Sequence, residues 1–299
     1  VTLALLVPGG TGQLGRELVA RAPERCQVRA PGSAELDVTN AGAVIEAVKS
    51  LVEGAGELRP VVVNAAAYTA VDAAETDETR AFAVNADGPR LLAAACSAHG
   101  VPLVHVSTDY VFPGDGDRPY REDDRPSPRS VYGTTKAAGE EAVLGSGARA
   151  WVVRTGWVYG AYGHNFVKTM TRLSAKHETV SVVDDQRGSP TWTGDLAAGL
   201  LELAERVTSD EPPAAKVLHA TGAGETTWYE FAGAVFAELG LDPARVRPCK
   251  SDEFPRPAPR PAYSVLSDEA WRASGLTPLR HWREALTAAF AESRDAFTP

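Results

Sequence analysis

The chain has 299 residues, of which 44% are hydrophobic and 23% charged, with a formal net charge of −9. This is the composition of a globular protein with one large core or two lobes. No apolar run approaches the roughly 20 residues that span a bilayer, and the acidic balance argues against a nucleic-acid partner. 

Leu3–Pro8 reads as a buried strand, without the basic flank or small-residue cleavage site of a signal peptide. It runs into Gly9-Gly-Thr-Gly12-Gln13-Leu14-Gly15, which opens a helical pattern over Gln13–Arg21. Glycines there permit a tight turn, and a helix N-terminus offers unpaired N–H groups to a pyrophosphate, so a dinucleotide is expected. The strand Gln27–Ala30 is followed by no carboxylate for an adenosine ribose. Arg29 stands there instead and suits a 2′-phosphate, so NADPH is expected over NADH, with a solvated surface charge as the rival reading. Cys26, Cys96 and Cys249 are odd in number and lack metal spacing, and read as buried thiols of a reducing, cytoplasmic compartment.

Glu35-Leu36-Asp37-Val38 resembles a short third strand whose carboxylate can accept from an adenine amino group. A helix over Ala41–Glu53 leads to the strand Val61–Asn64. The small residues Ala65, Ala66 and Ala67 after it let a cofactor lie against the backbone. One helical pattern covers Arg80–His99, with Asn85 inside it. In the strand Leu103–Ser107, His105 reads as a core residue.

Thr108-Asp109-Tyr110 follows that strand, and a helix over Val131–Leu144 carries Tyr132 and Lys136. Spaced i, i+4, the two lie on one helical face a turn apart. An ammonium beside a phenol lowers its pKa from about 10 and makes the tyrosine a proton donor near neutral pH. The Thr108 hydroxyl can hydrogen-bond the same reacting oxygen.

A strand at Ala150–Arg154 completes an alternation of apolar strands and helices, which means a parallel sheet covered on both faces with ligands at its carboxyl end. The expected fold is α/β, a doubly wound parallel (Rossmann) sheet over residues 1–156, rejoined by about 194–220. A smaller, interleaved C-terminal substrate lobe takes 157–193 and 221–299. Helical patterns return at Phe166–Lys176, Asp195–Arg206, Trp228–Leu239 and His281–Arg294. Asp184-Asp185 lacks a third ligand at coordination spacing and reads as a turn rather than a metal site.

A Tyr-x-x-x-Lys pair alone is weak. Joined to Gly9–Gly15, Asn64-Ala-Ala-Ala-Tyr-Thr-Ala-Val-Asp72, Ser107-Thr-Asp-Tyr-Val-Phe112, Arg154-Thr-Gly-Trp-Val-Tyr159 and Arg256-Pro-Ala-Pro-Arg260, it resembles the extended short-chain dehydrogenase/reductase family over nearly the whole chain. Within that family it is similar to the reductases of dTDP-linked 4-keto-6-deoxy sugars. The resemblance implies NADPH, or NADH, as hydride donor and such a sugar as substrate. It makes Thr108, Tyr132 and Lys136 catalytic, with Lys136 also holding the nicotinamide ribose. Cofactor contacts carry over to Gly12, Gln13 and Leu14, to Asp37 and Val38, and to Ala67, Tyr68 and Thr69. Substrate contacts carry over to Thr108, Asp109 and Trp157, with Asn165, Gln186 and Arg260 as further candidates for sugar, base or diphosphate. Arg260 is the most apt for diphosphate, which a guanidinium binds in bidentate fashion.

Dimeric relatives hold magnesium partly through a glutamate matching Glu17. No partner for it is evident, so magnesium and the choice between monomer and homodimer stay open. Tyr110 stands where related dehydratases have a glutamate, which favours reduction over dehydration. Two alternatives remain: a reductase of another nucleotide-linked 4-keto sugar in antibiotic or cell-surface glycan synthesis, and a non-catalytic regulatory subunit resembling the methionine adenosyltransferase beta subunit. Intact Thr108, Tyr132 and Lys136 favour the enzyme.

Overall fold

The computed structural model describes residues 2–298; Val1 and Pro299, the outer bounds of the expected lobes, lie outside the described residues. Its centre is a six-stranded sheet in which every neighbouring pair is parallel. The strands are β1 (Leu3–Leu6), β2 (Gln27–Arg29), β3 (Arg59–Asn64), β4 (Leu103–Thr108), β5 (Ala150–Thr155) and, numbered in chain order, β10 (Val217–His219). Alternate side chains feed two cores. Leu3, Leu5, Val61, Val63, Val104 and Trp151 pack beneath α1 (Gln13–Arg21) and α8 (Thr193–Val207). Ala4, Leu6, Val62, Leu103 and Val152 pack beneath α2 (Ala41–Ala55) and α5 (Gly88–His99). A sheet buried on both faces explains why its strands read as continuous apolar runs rather than alternating ones.

The strand order is β10-β5-β4-β3-β1-β2. The chain direction across the sheet reverses between β1 and β3, so the crevice for a ligand opens at the carboxyl ends of those two strands. The expected third strand at Glu35–Val38 does not form. The amides of Glu35 and Leu36 both bond the Gly32 carbonyl in a helical turn, and Asp37 Oδ1 takes the Thr39 amide at 2.9 Å. Local side-chain and backbone bonds outcompete an extended edge, although Leu36 and Val38 are buried as a strand would have them.

The single helix expected over Arg80–His99 is also broken. After two short helices, α3 (Val71–Ala74) and α4 (Glu78–Phe82), a π-turn spans Ala83–Asp87 before α5 begins. Pro89 has no N–H to return to the Asn85 carbonyl, and that carbonyl instead faces Gly139 of α6 (Val131–Leu144). The helix register slips by one residue there and turns Asn85 inward, where it is 0% exposed.

Beyond β5 lie β6 (Val158–Tyr159), α7 (Phe166–Lys176), β7 (Val180–Val183), β8 (Arg187–Gly188) and β9 (Thr191–Trp192). After β10 come β11 (Thr226–Thr227), α9 (Trp228–Glu238), β12 (Val246–Cys249), α10 (Glu269–Ala273) and α11 (Trp282–Ser293). β7 pairs with β12, β6 with β9 and β8 with β11, so segments far apart in sequence interleave. Their core holds Tyr159, Met170, Trp192, Phe231, Phe236 and Phe290. Among the described residues no helix is long and apolar enough to cross a membrane.

Candidate active site

The turn after β1 is built for close approach. Gly9 has φ +81°, and a Cβ there would meet the Ala66 amide at 2.7 Å, so the glycine loop lies directly on the chain leaving β3. α1 begins at Gly12 without a side-chain cap and without an acidic residue in its first turn, whereas α2, α6, α7 and α9 are capped by Asn40, Ser130, Asn165 and Thr227. A Cβ on Gly12 would touch only the Gly9 carbonyl, so that face of the loop is open. Unpaired first-turn amides at the positive end of a helix suit a pyrophosphate. The residues present therefore fit a dinucleotide, with Gln13, Leu14 and Gly15 in the first turn.

Arg29 closes β2 with an exposed side chain that has no hydrogen-bond partner among the described residues. Asp37 is exposed and bound to Thr39, whose amide and hydroxyl hold its carboxyl below the ordinary range. Val38 is buried against Gly88. On the other wall, Ala65, Ala66, Ala67 and Tyr68 are half-buried and Thr69 is exposed. Asn85 holds this segment from behind: Oδ1 accepts the Tyr68 amide at 2.8 Å, and Nδ2 donates to the Tyr68 carbonyl at 3.1 Å and to Thr135 Oγ1 at 3.0 Å. Its role is a direct clamp between the loop and α6.

Thr108 and Asp109 sit at the carboxyl end of β4, 6% and 3% exposed. Thr108 Oγ1 donates to Asp109 Oδ1 at 2.9 Å. α6 comes close enough to bring Tyr132 over them because its next residue is glycine: a Cβ on Gly133 would collide with the Tyr110 carbonyl. The Tyr110 and Tyr132 rings meet edge-on, with centroids 5.5 Å apart. Burial pushes the Tyr132 phenol up to about 12, opposed by its hydrogen bonding with Thr108 and reinforced by Asp109. This differs from the expected lowering by Lys136. That ammonium is turned beneath the helix, donating to the Val106 carbonyl at 2.7 Å, and burial pulls it down to about 8 against the pull of Glu140. A phenol at this value carries its proton at neutral pH, and an alkoxide is basic enough to take it.

Three buried polar atoms at this strand end have no hydrogen-bond partner among the described residues: Ser107 Oγ, Asp109 Oδ2 and Thr155 Oγ1. Thr155 is directly opposite Thr108 in the strand pair. Unsatisfied buried groups are costly, and the open carboxylate oxygen of Asp109, which acts on the Tyr132 phenol, suits a hydroxyl of a ligand. Burial raises the Asp109 carboxyl from 3.8 to about 6, although the nearby hydroxyls of Ser264 and Thr108 favour its ionised form. Because the folded-state value lies above the unfolded one, the ionised carboxylate weakens the fold above pH 6, and protonation between pH 6 and pH 4 relieves it. Asp109→Asn should therefore stabilise the protein at pH 8 by about 2–3 kcal/mol. At pH 4 the gain should vanish, as urea unfolding at the two pH values will show.

The remaining expected substrate residues are spread more widely. Trp157 follows β5 with φ +51°, the one non-glycine with positive φ among the described residues, and its ring stacks on Trp228 at a centroid distance of 3.4 Å. A strained backbone held by packing is common at binding sites. Asn165 is committed elsewhere: Oδ1 caps α7, and Nδ2 bonds Gln13 Oε1 and the Gly160 carbonyl, each at 2.8 Å. Gln186 donates to Ser251 Oγ at 2.8 Å, and Asp185 binds the same serine, so this region fastens a loop. Arg260 pairs with Asp72 at 2.9 Å, and both lie near enough to Tyr110 to act on it. Asp72 closes one of the marker stretches, but its pairing is not legible in the sequence because its partner is 188 residues away. Glu17 is 5% exposed, bound by Arg21 at 2.7 Å and by Thr193 Oγ1 at 3.2 Å. Arg21 also bonds Glu292. A guanidinium bridges these carboxylates, and no three metal-binding side chains converge among the described residues.

A doubly wound parallel sheet with a glycine loop after its first strand and a Tyr–Lys helix beside its fourth defines the short-chain dehydrogenase/reductase class. More narrowly, the chain belongs to the RmlD substrate binding domain family, whose profile matches residues 3–294. It is 53% identical over 288 residues to a dTDP-4-dehydrorhamnose reductase of Streptomyces griseus, covering 95% of this chain and 92% of that protein. It is 51% identical over 290 residues to a probable dTDP-4,6-dihydroxy-2-methyloxan-3-one 4-ketoreductase of Streptomyces antibioticus, covering 96% and 94%. In structure it is similar to the dTDP-4-dehydrorhamnose reductase of Bacillus anthracis in complex with NADP. The TM-score is 0.89 and the identity 36%, over 96% of this chain and 98% of that one.

Proposed function

We propose that the chain reduces the C4 ketone of a dTDP-4-dehydro-6-deoxyhexose with NADPH, converting dTDP-4-dehydro-L-rhamnose to dTDP-L-rhamnose. The observation that carries this reading is the gathering of Thr108, Asp109 and Tyr132 at the end of β4 beside an uncapped glycine loop. The names of the relatives at 53% and 51% identity agree in being dTDP-linked ketone reductases. The Gly9–Gly15 loop and the chain leaving β3 would hold the reduced dinucleotide, which would supply the hydride for the ketone carbon. Tyr132 donates its proton to the carbonyl oxygen as charge grows there, and Thr108, turning its single O–H from Asp109 to that oxygen, hydrogen-bonds it. Lys136 holds the cofactor's ribose side of the cleft. Asp109 receives a sugar hydroxyl, and Trp157 stacks against the sugar nucleotide. Arg260 serves the diphosphate.

In this division of labour the sheet, residues 2–156 with 194–220, carries the dinucleotide. The interleaved segments 157–193 and 221–298 close over the sugar nucleotide. Three free cysteines suit a reducing cytoplasm, where reduced dinucleotide is available. Arg29 recognises the 2′-phosphate. Arg29→Ala is expected to raise KM for NADPH by about tenfold or more and to leave KM for NADH nearly unchanged, the loss of one charged hydrogen bond. Equal losses for both cofactors would remove that assignment.

The reading itself is tested by following NADPH oxidation with dTDP-4-dehydro-L-rhamnose and identifying the product. The relative named for a different dTDP-linked ketone supports a second reading, reduction of another 4-keto sugar on the same machinery. A higher kcat/KM with such a sugar selects it.

A further inference from the structure

Beneath α6, β3 and β4 set two buried polar side chains side by side. Asn64 and His105 are paired in the strand register and are 1% and 0% exposed. Asn64 Oδ1 accepts the Ala66 amide at 3.1 Å, which turns its Nδ2 toward His105 Nδ1 at 3.0 Å. An amide nitrogen only donates, so Nδ1 is an acceptor. Burial holds the imidazole well below its ordinary pKa and therefore neutral. Its one ring proton then sits on Nε2, 3.5 Å from Lys136 Nζ. Lys136 meanwhile donates to the Val106 carbonyl at 2.7 Å.

We propose that His105 is a positioning residue for Lys136, locked by Asn64 as the Nε2–H tautomer so that it presents a donor where an acceptor would capture the lysine. With the Val106 carbonyl as its one acceptor beneath the helix among the described residues, Lys136 keeps its remaining N–H bonds for the cleft side, where Tyr132 works. The opposite tautomer would offer an Nε2 lone pair and draw those bonds down into the core. The tautomer is set from the Ala66 amide, in the loop that lies against the glycine turn. The placement of that loop is thereby transmitted to the lysine through two side chains. A histidine kept only for shape would be indifferent to where its proton sits.

Long-range proton–nitrogen NMR of the imidazoles, on wild-type protein without added ligand, tests this directly. A protonated Nε2 and an unprotonated Nδ1 are expected for His105; a proton on Nδ1 overturns the inference. Asn64→Asp replaces the donor with a carboxylate and moves the ring proton to Nδ1. Its kcat should fall about tenfold while KM for the sugar nucleotide stays within about threefold. Wild-type kcat with the proton shown to have moved would also overturn it. The inference rests on Lys136 serving the reduction, but the tautomer is read without turnover. A wrong tautomer therefore strikes the inference alone, and absence of reduction by the wild type strikes the assigned function.

Discussion

Tyr132→Phe is expected to lower kcat for ketone reduction by about a thousandfold or more while cofactor affinity changes by less than about twofold. The change removes a single oxygen. The ring keeps its edge-on contact with Tyr110, whose centroid lies 5.5 Å away, and α6 keeps its Ser130 cap. Only the proposed proton source beside Thr108 is lost. Stopped-flow reduction at saturating substrate, with cofactor binding followed by fluorescence, separates the two quantities. Turnover near the wild-type rate would show that another group protonates the oxygen.

The second large effect is structural. Arg154 and Glu140 form an ion pair with side chains 3% and 4% exposed, in which the guanidinium donates to both carboxylate oxygens at 2.7 to 3.1 Å. The Arg154 guanidinium also lies over the Phe112 ring at 4.9 Å and within 3.4 Å of His219 Nε2. Since His219 Nδ1 lies 3.0 Å from the Ser267 carbonyl and bonds it as donor, Nε2 is free to accept from Arg154. Glu140 is one turn beyond Lys136, so this pair ties the Tyr–Lys helix to the end of β5. Arg154→Met leaves a buried carboxylate without its partner and is expected to cost about 3–5 kcal/mol in unfolding free energy. Arg154→Met with Glu140→Leu should recover most of that loss, because no buried charge remains. Denaturant unfolding of the single and double variants checks both statements. Additive losses would mean that the pair does not act as a unit.

Local pattern carried much of the architecture. β4, α6 and α7 lie within a residue of where apolar runs and helical periodicity put them, because each is specified by its own burial. The glycine turn and the Tyr132–Lys136 spacing were legible for the same reason, as short-range geometry. Failures came where a distant or covalent constraint overrode the local pattern. Leu36 and Val38 are buried like strand residues, yet the Gly32 carbonyl and the Asp37 side chain curl that segment into turns. Pro89 divides what periodicity alone presents as one helix. Asp72 and Asn165 make bonds spanning 188 and 152 residues, which no local window contains. His105 was read as core and is core by burial. Its bond to Asn64 depends on a strand register that the sequence does not display.

The central claim, hydride delivery to C4 of a dTDP-linked 4-keto-6-deoxy sugar with Tyr132 protonating the oxygen, is tested most directly with dTDP-4-dehydro-L-rhamnose and NADPH deuterated at its transferable position. The expected product is dTDP-L-rhamnose with one deuterium, located by NMR on sugar C4, formed one for one with oxidised cofactor. Cofactor oxidation without deuterium at C4, or no oxidation at all, would contradict it.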